Sequence, residues 1–292
     1  MIKRKRYNTM NILITGCNGQ LGNEIQLIEK NYPQHKFYNT DVADLDITDS
    51  DAVTSFVEQN AIDGIINCAA YTAVDKAEDA EELCMLLNAT APSYLAAAVG
   101  RRGGWMVHVS TDYVFDGTAH IPYTEDMPTS PDSVYGRTKL AGEEAVMSCC
   151  DRVMVVRTAW LYSEFGNNFV KTMMRLGRER EQLGVVFDQI GTPTYAGDLA
   201  VAIMTAVDKG IVPGIYHYSN EGVTSWYDFT KAIHRIAGIT TCDVRPLHTA
   251  EYPAKANRPA YSVLDKTKIK STYGITVPHW EESLEKCIGG LA

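Results

Sequence analysis

The feature that most constrains this chain is a regular alternation of short apolar runs with longer amphipathic segments. Five runs are predicted to be strands, at 11–15, 37–41, 64–69, 105–110 and 153–157. Helical periodicity lies between them, at 20–30, 48–59, 78–99 and 135–147. Because the runs are apolar almost throughout, we expect both of their faces to be buried. The alternation therefore predicts an α/β fold with a doubly wound parallel sheet covered by helices.

Two helices carry local signals at or near their ends. Asp46 or Thr48 is the expected N-cap of the helix over 48–59, since a short polar side chain there can accept hydrogen bonds from free backbone N–H groups. Pro92 lies inside the long helical pattern over 78–99. A proline at an interior position predicts either a kink or a helix boundary.

After residue 160 the pattern is less regular. Helices are predicted at 167–178, 197–208, 225–236 and after His279, with a strand at 215–218 and a loop at 249–259. We expect a core over 10–160, elements that return to it from about 185–220, and a small mixed C-terminal cap that makes up most of 161–292. The boundary between core and cap is then discontinuous. Residues 1–9 precede Met10 and the first strand, and we expect them to be an N-terminal extension.

Charge and cysteine content exclude several classes of protein. The 27 basic and 36 acidic residues give a net charge of −9, which argues against a nucleic-acid partner with a broad basic footprint. No run approaches the roughly 18 consecutive apolar residues of a membrane span, so no membrane partner is expected. The seven cysteines include no CxxC pair, which favours a reduced, cytoplasmic chain with cysteines in the core.

A glycine-rich segment, GCNGQLG at 16–22, follows the first predicted strand and precedes a helix. Glycines allow a tight turn and a close approach of the backbone to a pyrophosphate, and the free N–H groups of the helix favour an anion. The spacing is GxxGxxG, so the common GxGxxG dinucleotide fingerprint is not matched literally. The alternative is a plain turn, but the position between strand and helix favours a Rossmann-type dinucleotide site.

Asp41 ends the second predicted strand, about 20 residues beyond the glycines. A carboxylate there can accept hydrogen bonds from the adenosine ribose of NAD and would repel the additional phosphate of NADP. No Arg or Lys follows directly, which favours NADH slightly. A solvated aspartate in a turn explains the same residue nearly as well, so the sequence leaves the choice between NADH and NADPH open.

Thr111, Tyr135 and Lys139 form the most informative set. Tyr135 and Lys139 are four residues apart, and on a helix this spacing places the phenol and the ammonium on one face. A nearby ammonium lowers the pKa of a phenol, which predicts proton exchange near neutral pH. Thr111 follows the fourth strand, where its hydroxyl can bind a carbonyl oxygen. The alternative, an exposed Tyr and Lys on an amphipathic helix, is weaker because the glycine segment precedes them.

These residues lead to a family resemblance. From about Met10 to the C-terminus the chain resembles the dTDP-4-dehydrorhamnose reductases, a family of extended short-chain dehydrogenases/reductases. The matching segments are GCNGQLG, NCAAYTAVDKAE, LLNAT, STDYVFDG, VYGRTKLAGE, RTAWLY, NNFVKTM, DQIGTPT and NRPAYSVLD. The second, fourth and fifth of these are the specific ones when taken together, whereas the glycine segment alone indicates only the superfamily.

The resemblance implies a role for each matching residue. Cofactor contacts are implied for Gly16, Asn18, Gly19, Gln20, Leu21, Gly22, Asp41, Asp46, Ile47, Ala69, Ala70, Tyr71, Asn88, Tyr135 and Lys139. Among these, Asn88 orders the site around Lys139 through water, and Lys139 binds the nicotinamide ribose. Substrate contacts are implied for Thr111, Asp112, Tyr135, Trp160, Asn168, Gln189 and Arg258. The catalytic residues are Thr111, Tyr135 as proton donor, and Lys139.

Several of these residues have structural alternatives. Trp160 can be a core residue, Asn168 a helix N-cap, and Arg258 a surface residue, although a bidentate Arg suits a diphosphate. Some relatives are thought to hold Mg²⁺ at a dimer contact through glutamates, and Glu24 corresponds to one candidate. The sequence has no cluster with metal-ligand spacing, so we expect no metal site and regard His108 as a core residue.

The implied activity is NAD(P)H-dependent reduction of the C4 ketone of dTDP-4-dehydro-β-L-rhamnose to dTDP-β-L-rhamnose, the last step of dTDP-L-rhamnose synthesis. The implied partners are a dTDP-sugar substrate and NADPH or NADH. The number of copies is left open, with a homodimer as one option. Two other functions also stay open. One is another nucleotide-sugar reductase or epimerase of the same superfamily. The other is a non-catalytic, cofactor-binding regulatory subunit, against which the intact Thr111, Tyr135 and Lys139 argue.

Overall fold

The first half of the chain alternates strands with helices. A computed structural model describes residues 9–291, so the predicted extension at 1–9 lies outside the described residues except for Thr9. The elements are β1 (Asn11–Thr15), α1 (Gln20–Ile28), β2 (Lys36–Thr40), α2 (Ser50–Gln59), β3 (Gly64–Asn67), α3 (Val74–Ala77), α4 (Glu81–Met85), α5 (Ala91–Arg101), β4 (Trp105–Thr111), α6 (Val134–Cys149) and β5 (Val153–Thr158). This order agrees with the alternation predicted from the sequence.

The second half consists of shorter strands and amphipathic helices. Its elements are β6 (Leu161–Tyr162), α7 (Phe169–Glu179), β7 (Gln182–Val186), β8 (Ile190–Gly191), β9 (Thr194–Tyr195), α8 (Ala196–Lys209), β10 (Gly214–His217), β11 (Thr224–Ser225), α9 (Trp226–Ile236), β12 (Asp243–Leu247), α10 (Thr267–Tyr273) and α11 (Trp280–Leu291). The segment 249–259, predicted to be a loop, contains one 3-10 turn, Thr249–Glu251.

The main sheet has six parallel strands in the order β10-β5-β4-β3-β1-β2. Its central strands are buried on both sides, so their residues form two apolar layers, one on each face. Leu13 points into one layer, and its neighbours Ile12 and Ile14 point into the other. The predicted α/β fold with a Rossmann-type parallel sheet is therefore confirmed. The carboxyl ends of β1, β3 and β4 lie side by side and carry the residues discussed below.

The predicted N-cap of α2 is wrong by a few residues. α2 begins at Ser50, and the Asp49 carboxylate accepts hydrogen bonds from the N–H groups of Asp51 and Ala52 at 2.9 and 3.0 Å. Asp46 instead accepts from the backbone and hydroxyl of Thr48, which stabilises the loop before the helix. Several short polar residues occur in succession here, and all of them can cap a helix.

The long helix predicted over 78–99 is continuous from Glu81 to Arg101, but one of its turns is unusual. Residues 86–90 form a π turn between α4 and α5, and Pro92 lies in the first turn of α5. Such bulges often occur at functional sites. With a mean hydropathy of 1.4, the stretch from Glu81 to Arg101 is long and apolar enough to cross a membrane by composition, and half of that apolar window is buried inside the protein. A core helix passes the same test.

The segments after residue 160 pack in two places. β10 joins the main sheet beside β5, and α8 packs against α1. β7 pairs with β12, β8 with β11, and β6 with β9, in three small two-stranded sheets. A separate apolar cluster joins α7, α9 and α11 and includes Phe169, Trp226, Phe229 and Trp280. The chain thus returns to the main sheet once within the segment 185–220, at β10.

Candidate active site

The glycine segment forms the turn between β1 and α1. Gly16 has φ +65°, and a Cβ atom there would lie 2.7 Å from the backbone nitrogen of Ala69. A Cβ at Gly22 would lie 2.5 Å from the carbonyl oxygen of Gly16. Only glycine therefore allows β1, α1 and the end of β3 to approach this closely. Within residues 9–291 no side chain caps Gly19 at the start of α1, so the first N–H groups of the helix are free for an anion.

A cavity of about 270 Å³ lies in front of this turn. Its lining comes from the ends of β1, β2 and β3 and from the π turn: Thr15, Gly16, Gly19, Thr40, Asp41, Val42, Leu45, Asp46, Ile47, Cys68, Ala69, Ala70 and Leu87. We call it the cofactor cavity. Its glycine floor and free helix N–H groups fit the pyrophosphate of a dinucleotide. Gln20, Leu21 and Gly22 begin α1 behind this floor, with Leu21 and Gly22 buried.

Asp41 contacts the glycine turn and lines the cofactor cavity. Its carboxylate accepts hydrogen bonds from the backbone N–H groups of Asn18, at 3.1 Å, and of Val42, at 2.8 Å. It therefore fixes the glycine turn against the end of β2, and it also lines the cofactor cavity. Asn18 is exposed and takes part in this contact through its backbone. Asp46 and Ile47 line the same end of the cavity.

Asn88 holds the loop after β3 in place. Its side chain accepts from the N–H of Tyr71 at 2.8 Å and donates to the carbonyl of Tyr71 at 3.2 Å. It also donates to the hydroxyl of Thr138 on α6 at 3.1 Å. The residue belongs to the π turn, where its backbone meets α6 so closely that a Cβ at Gly142 would lie 2.0 Å from the Asn88 oxygen. Asn88 thus joins the loop 69–71 to the helix that carries Tyr135.

Thr111, Tyr135 and Lys139 come together at the carboxyl end of β4. Thr111 ends β4, and its hydroxyl donates to Asp112 at 2.9 Å. Tyr135 and Lys139 lie on α6, whose N-cap is Ser133. Tyr135 packs in a small cluster with Tyr71, beside the cofactor cavity, and its ring meets Tyr113 edge-on at 5.5 Å between centroids. Lys139 is buried, and its ammonium donates to the carbonyl of Val109 at 2.7 Å.

The direction of the Tyr135 pKa differs from the expectation. Burial raises the pKa of Tyr135 to about 12, the Thr111 hydroxyl opposes this change, and the Asp112 carboxylate adds to it. The predicted lowering by Lys139 is therefore wrong for this structure, because the lysine ammonium is directed to the carbonyl of Val109. A phenol with this pKa is protonated near pH 7, which is the form that can donate a proton. Burial also raises the pKa of Asp112 to about 6.

A second cavity, of about 280 Å³, lies against Tyr113. It is lined by Tyr113, Phe115, Asp116, Gly117, Thr118, Asp132, Ser133, Asn257, Arg258, Pro259 and Ala260, and we call it the Arg258 cavity. Arg258 is held by a hydrogen-bonded ion pair with Asp75, at 2.8 Å. Asp75 also accepts from the backbone of Ala256 at 3.2 Å. Ser133, the N-cap of α6, thus lines the Arg258 cavity two residues before Tyr135.

Trp160 follows β5 in a left-handed conformation, with φ +49°. Such a conformation is costly for a residue with a Cβ and is most frequent at functional sites. The indole stacks on Trp226 with a centroid separation of 3.5 Å and an interplanar angle of 11°. It also lies over Gly191, where a Cβ would come within 2.7 Å of its ring. Trp160 is therefore neither a simple core residue nor free, because one of its faces is already covered.

Asn168 and Gln189 are mainly structural in this conformation. Asn168 is the N-cap of α7, since its side chain accepts from the N–H of Lys171 at 3.1 Å. It also donates to the side chain of Gln20 at 3.0 Å, which connects α7 to the glycine turn. Gln189 is buried and donates to the hydroxyl of Thr249 at 3.2 Å. Within residues 9–291 no group of three His, Cys, Asp or Glu side chains is arranged to hold a metal ion.

Sequence reasoning missed the buried ion pair behind this site. Glu143 on α6 and Arg157 on β5 are both buried and lie 2.7 Å apart. The spacing 135, 139 and 143 was the available signal, because these positions share one face of a helix. His108 lies nearby and contacts Asn67 at 3.0 Å. It is a core residue, as expected, and burial keeps its pKa well below the ordinary range.

Fold and site define an NAD(P)H-dependent oxidoreductase of the short-chain dehydrogenase/reductase class. Residues 10–292 match the family described as the RmlD substrate binding domain, and the chain belongs to that family. A dTDP-4-dehydrorhamnose reductase from Aggregatibacter actinomycetemcomitans is 41% identical over 284 residues, covering 94% of this chain and 97% of that protein. The family resemblance predicted from the motifs is therefore confirmed.

Solved structures agree with this assignment. A dTDP-4-dehydrorhamnose reductase from Clostridium acetobutylicum superposes with a TM-score of 0.93 and 46% identity, covering 97% of this chain and 99% of that one. The Bacillus anthracis reductase, whose structure is a complex with NADP, gives a TM-score of 0.92 and 40% identity with the same coverage.

Proposed function

We propose that this protein reduces the C4 ketone of dTDP-4-dehydro-β-L-rhamnose to dTDP-β-L-rhamnose with NADPH or NADH. The observation that carries the proposal is Tyr135 beside Thr111, with the buried Lys139 on the same helix, in a molecule that also has the cofactor cavity at its glycine turn and the Arg258 cavity at Tyr113. The names of the relatives supply the sugar nucleotide. The reaction is the last step of dTDP-L-rhamnose synthesis.

The cofactor cavity receives the dinucleotide. Gly19, Gln20 and Leu21 hold the pyrophosphate at the start of α1, while Asp41, Asp46 and Ile47 surround the adenosine. Ala69, Ala70 and Tyr71 lie along the nicotinamide, and Lys139 binds its ribose. The bound nicotinamide supplies the hydride for C4. Asn88 hydrogen-bonds both Tyr71 and Thr138 and so fixes the loop after β3 against α6, which supports this placement.

Tyr135 donates the proton to the oxygen that was the ketone. A phenol with a pKa of about 12 is fully protonated before the reaction and becomes a good donor only to a strongly basic oxygen, such as a developing alkoxide. Thr111 orients that oxygen through its hydroxyl. Lys139, one helical turn further along α6, contributes its ammonium to the nicotinamide ribose. The residues thus contribute by orienting the reacting oxygen and by stabilising the charge that develops on it.

The sugar nucleotide lies on the side of the Arg258 cavity. Arg258 can hold a diphosphate with two parallel hydrogen bonds, and Asp75 presets the guanidinium. Trp160 provides an apolar surface for the deoxysugar, and Asp112 contacts a sugar hydroxyl. Asn168 and Gln189 support the cap around this ligand. The cap that makes up most of 161–292 is thus the substrate-binding part, and residues 10–160 form the dinucleotide-binding core.

The proposal places the enzyme in the cytoplasm, with no nucleic-acid or membrane partner. Seven free cysteines, of which Cys17, Cys84, Cys150 and Cys287 are buried, support a reducing compartment. A homodimer is the oligomeric option that the resemblance leaves open. Light scattering of the purified enzyme at micromolar concentration distinguishes it from a monomer.

The test is cofactor oxidation followed by absorbance, with dTDP-4-dehydro-L-rhamnose generated in place by the two preceding enzymes. We expect turnover with NADPH or NADH and a product that comigrates with dTDP-rhamnose. Omitting the sugar nucleotide is the control, and it should leave the cofactor unoxidised. Tight NAD(P) binding without turnover would contradict the proposal and would favour a regulatory role.

A further inference from the structure

Glu143 is a charged residue in the interior, directly behind the catalytic helix face. Its side chain is fully buried, and its carboxylate accepts a hydrogen bond from the hydroxyl of Ser110 at 2.5 Å. The Arg157 guanidinium donates to the same carboxylate through Nε at 2.9 Å and through Nη2 at 2.7 Å. The carboxylate therefore has a fixed position and a fixed orientation.

Packing alone does not explain this pair. Removing two charges from water costs several kcal/mol per ion, and well-packed apolar residues of similar volume often stabilise a core as well or better. The ion pair also leaves Nη1 of Arg157 without a partner among the described residues. A charged pair at this depth is better explained by an effect on a neighbouring group.

The neighbouring group is Lys139, one helical turn before Glu143 on α6. Residues four positions apart lie next to each other on one face of a helix. Lys139 donates to the carbonyl of Val109, and the next residue on β4, Ser110, donates to Glu143. Burial lowers the pKa of Lys139 to about 8, and the negative charge of Glu143 opposes this fall. The pKa of the lysine therefore lies only slightly above neutral pH.

Other charged groups around Lys139 do not replace Glu143. The elements packed against α6 carry the following titratable and charged groups: Asp75 and Lys76 on α3, Glu81, Glu82 and Cys84 on α4, Tyr94 and Arg101 on α5, His108 on β4, Asp112 and Tyr113 after β4, and Arg157 on β5. The helix α6 itself carries Tyr135, Arg137, Glu143 and Glu144. His108 has a pKa well below its ordinary range and is neutral at pH 7, and burial raises the pKa of Cys84. The Asp112 carboxyl titrates near pH 6 and is occupied by Thr111.

We propose that Glu143, fixed by Arg157 and Ser110, is a positioning residue that keeps Lys139 in its ammonium form during reduction. The consequence for the reaction rests on the proposed function, in which that ammonium binds the nicotinamide ribose. Arg157 acts through Glu143, because its guanidinium on β5 holds the carboxylate in place with two hydrogen bonds. From β5 to the active site, the charges of three successive side chains alternate: Arg157 is positive, Glu143 negative and Lys139 positive.

The experiment compares Glu143→Gln with Glu144→Gln, which removes an exposed carboxylate from the next position of the same helix. The pKa of Lys139 is read directly from the ¹³Cε resonance of labelled lysine, assigned with Lys139→Arg. We expect it to fall by about one unit in Glu143→Gln and to stay unchanged in Glu144→Gln. The basic limb of the kcat/KM profile should move to lower pH by the same amount.

A second variant covers the case in which Glu143→Gln does not fold, since it leaves Arg157 buried without its counterion. The double variant Glu143→Met/Arg157→Met removes both charges and keeps the volume. We expect the pKa of Lys139 in the double variant to lie between those of the wild type and Glu143→Gln. Glu143→Asp, which keeps the charge, should restore most of the wild-type profile.

The outcomes separate this proposal from the proposed function. An unchanged titration of Lys139 in folded Glu143→Gln, or in the double variant if the single one does not fold, would overturn the role of Glu143. A shifted titration supports it even if the protein shows no turnover with the sugar nucleotide. In that case the Lys139 pKa, measured from its ¹³Cε resonance, supports the role of Glu143. The absence of turnover counts only against the proposed function.

Discussion

The cofactor cavity and the Arg258 cavity are built from different parts of the polypeptide. Around the first, the determining features are backbone: a left-handed Gly16, the free N-terminus of α1 and the ends of parallel strands. Around the second, they are side chains: the Tyr113 ring and the Arg258 guanidinium. A site made of backbone fixes a general ligand class, whereas a site made of side chains can change its preference through single substitutions.

The two regions also differ in how they are held together. The strands of the main sheet form a continuous hydrogen-bonded layer between two apolar cores. The region after residue 160 has three two-stranded sheets and an aromatic cluster. Stacked and edge-on rings, such as Phe169 on Phe229 at 5.8 Å, connect its helices. The following predictions test this division.

The largest effect is expected from Tyr135→Phe, which removes the proton donor between the two cavities. Turnover should fall by roughly 10²–10⁴-fold, because this is the usual contribution of a positioned acid. The Kd for the cofactor should stay within about twofold, since the cofactor cavity is made largely of backbone. Stopped-flow absorbance and fluorescence titration measure the two quantities. Tyr94→Phe, on α5 outside both cavities, is the control, and near-normal turnover of Tyr135→Phe would contradict the assignment.

The next effect concerns the backbone site. In Gly16→Ala the new Cβ meets the Ala69 nitrogen at 2.7 Å, in addition to the strain of a positive φ. Gly103→Ala is the matched control, because Gly103 has φ +69° but nothing within 4 Å of its Cβ position. Both variants should lose about 1–2 kcal/mol from backbone strain. Only Gly16→Ala should also weaken cofactor binding, by more than tenfold in isothermal titration. Equal cofactor affinity in the two variants would argue against a backbone-built cavity.

A smaller effect is expected on the side-chain site. Trp160→Ala removes an indole whose stacking on an aromatic partner is worth about 0.5–1.5 kcal/mol, and it exposes the face of Trp226. We expect KM for the sugar nucleotide to rise by roughly 2–10-fold, with the Kd for the cofactor unchanged. Trp160→Phe should retain most of the affinity. If both ligands weaken equally, the division between the cavities is wrong.

The smallest effect lies at the contact between the two halves. Glu24 on α1 is buried beside Glu164, and burial together with that carboxyl raises the pKa of Glu24 to about 8. The folded state therefore binds this proton more tightly than the unfolded state, whose pKa is about 4.5. Stability is unaffected by this group below pH 4.5 and declines as the pH rises toward 8. Glu24→Gln should lack that decline.

Thermal unfolding at two pH values measures this difference. At pH 5 the wild type and Glu24→Gln should melt at similar temperatures, and at pH 9 the variant should melt roughly 2 °C or more above the wild type. Glu29→Gln, on the 3-10 turn after α1, is the comparison for a less buried carboxylate. A constant difference across the pH range would mean that Glu24 does not titrate between the two states.

The sequence predicted the core better than the second half for a physical reason. In β1, β3 and β5 the central positions are apolar, so burial on both faces leaves a clear signal. β8, β9 and β11 have two residues each, and no periodicity can be read from two residues. The π turn at 86–90 could not be predicted from the sequence either, because it depends on the close packing of Asn88 against Gly142.

The proximity of three candidate residues could be predicted from the sequence, whereas the electrostatics around them could not. The motif spacing brought Thr111, Tyr135 and Lys139 together, as the structure has them. The direction of the Tyr135 pKa was wrong because it depends on burial and on which acceptor the lysine ammonium reaches, here the carbonyl of Val109. Neither quantity is encoded in a local pattern. The partner of Glu143, fourteen residues away on β5, likewise requires the tertiary fold.

The most direct test of the account is isotope transfer. The enzyme is incubated with dTDP-4-dehydro-L-rhamnose and a nicotinamide cofactor that carries deuterium at its reactive carbon, and the product is analysed by NMR. The account predicts a single deuterium at C4 of the sugar, in dTDP-L-rhamnose, with one cofactor oxidised per product. A sugar without cofactor deuterium, or one altered only at a ring carbon that exchanges with solvent, would contradict it and indicate an epimerase.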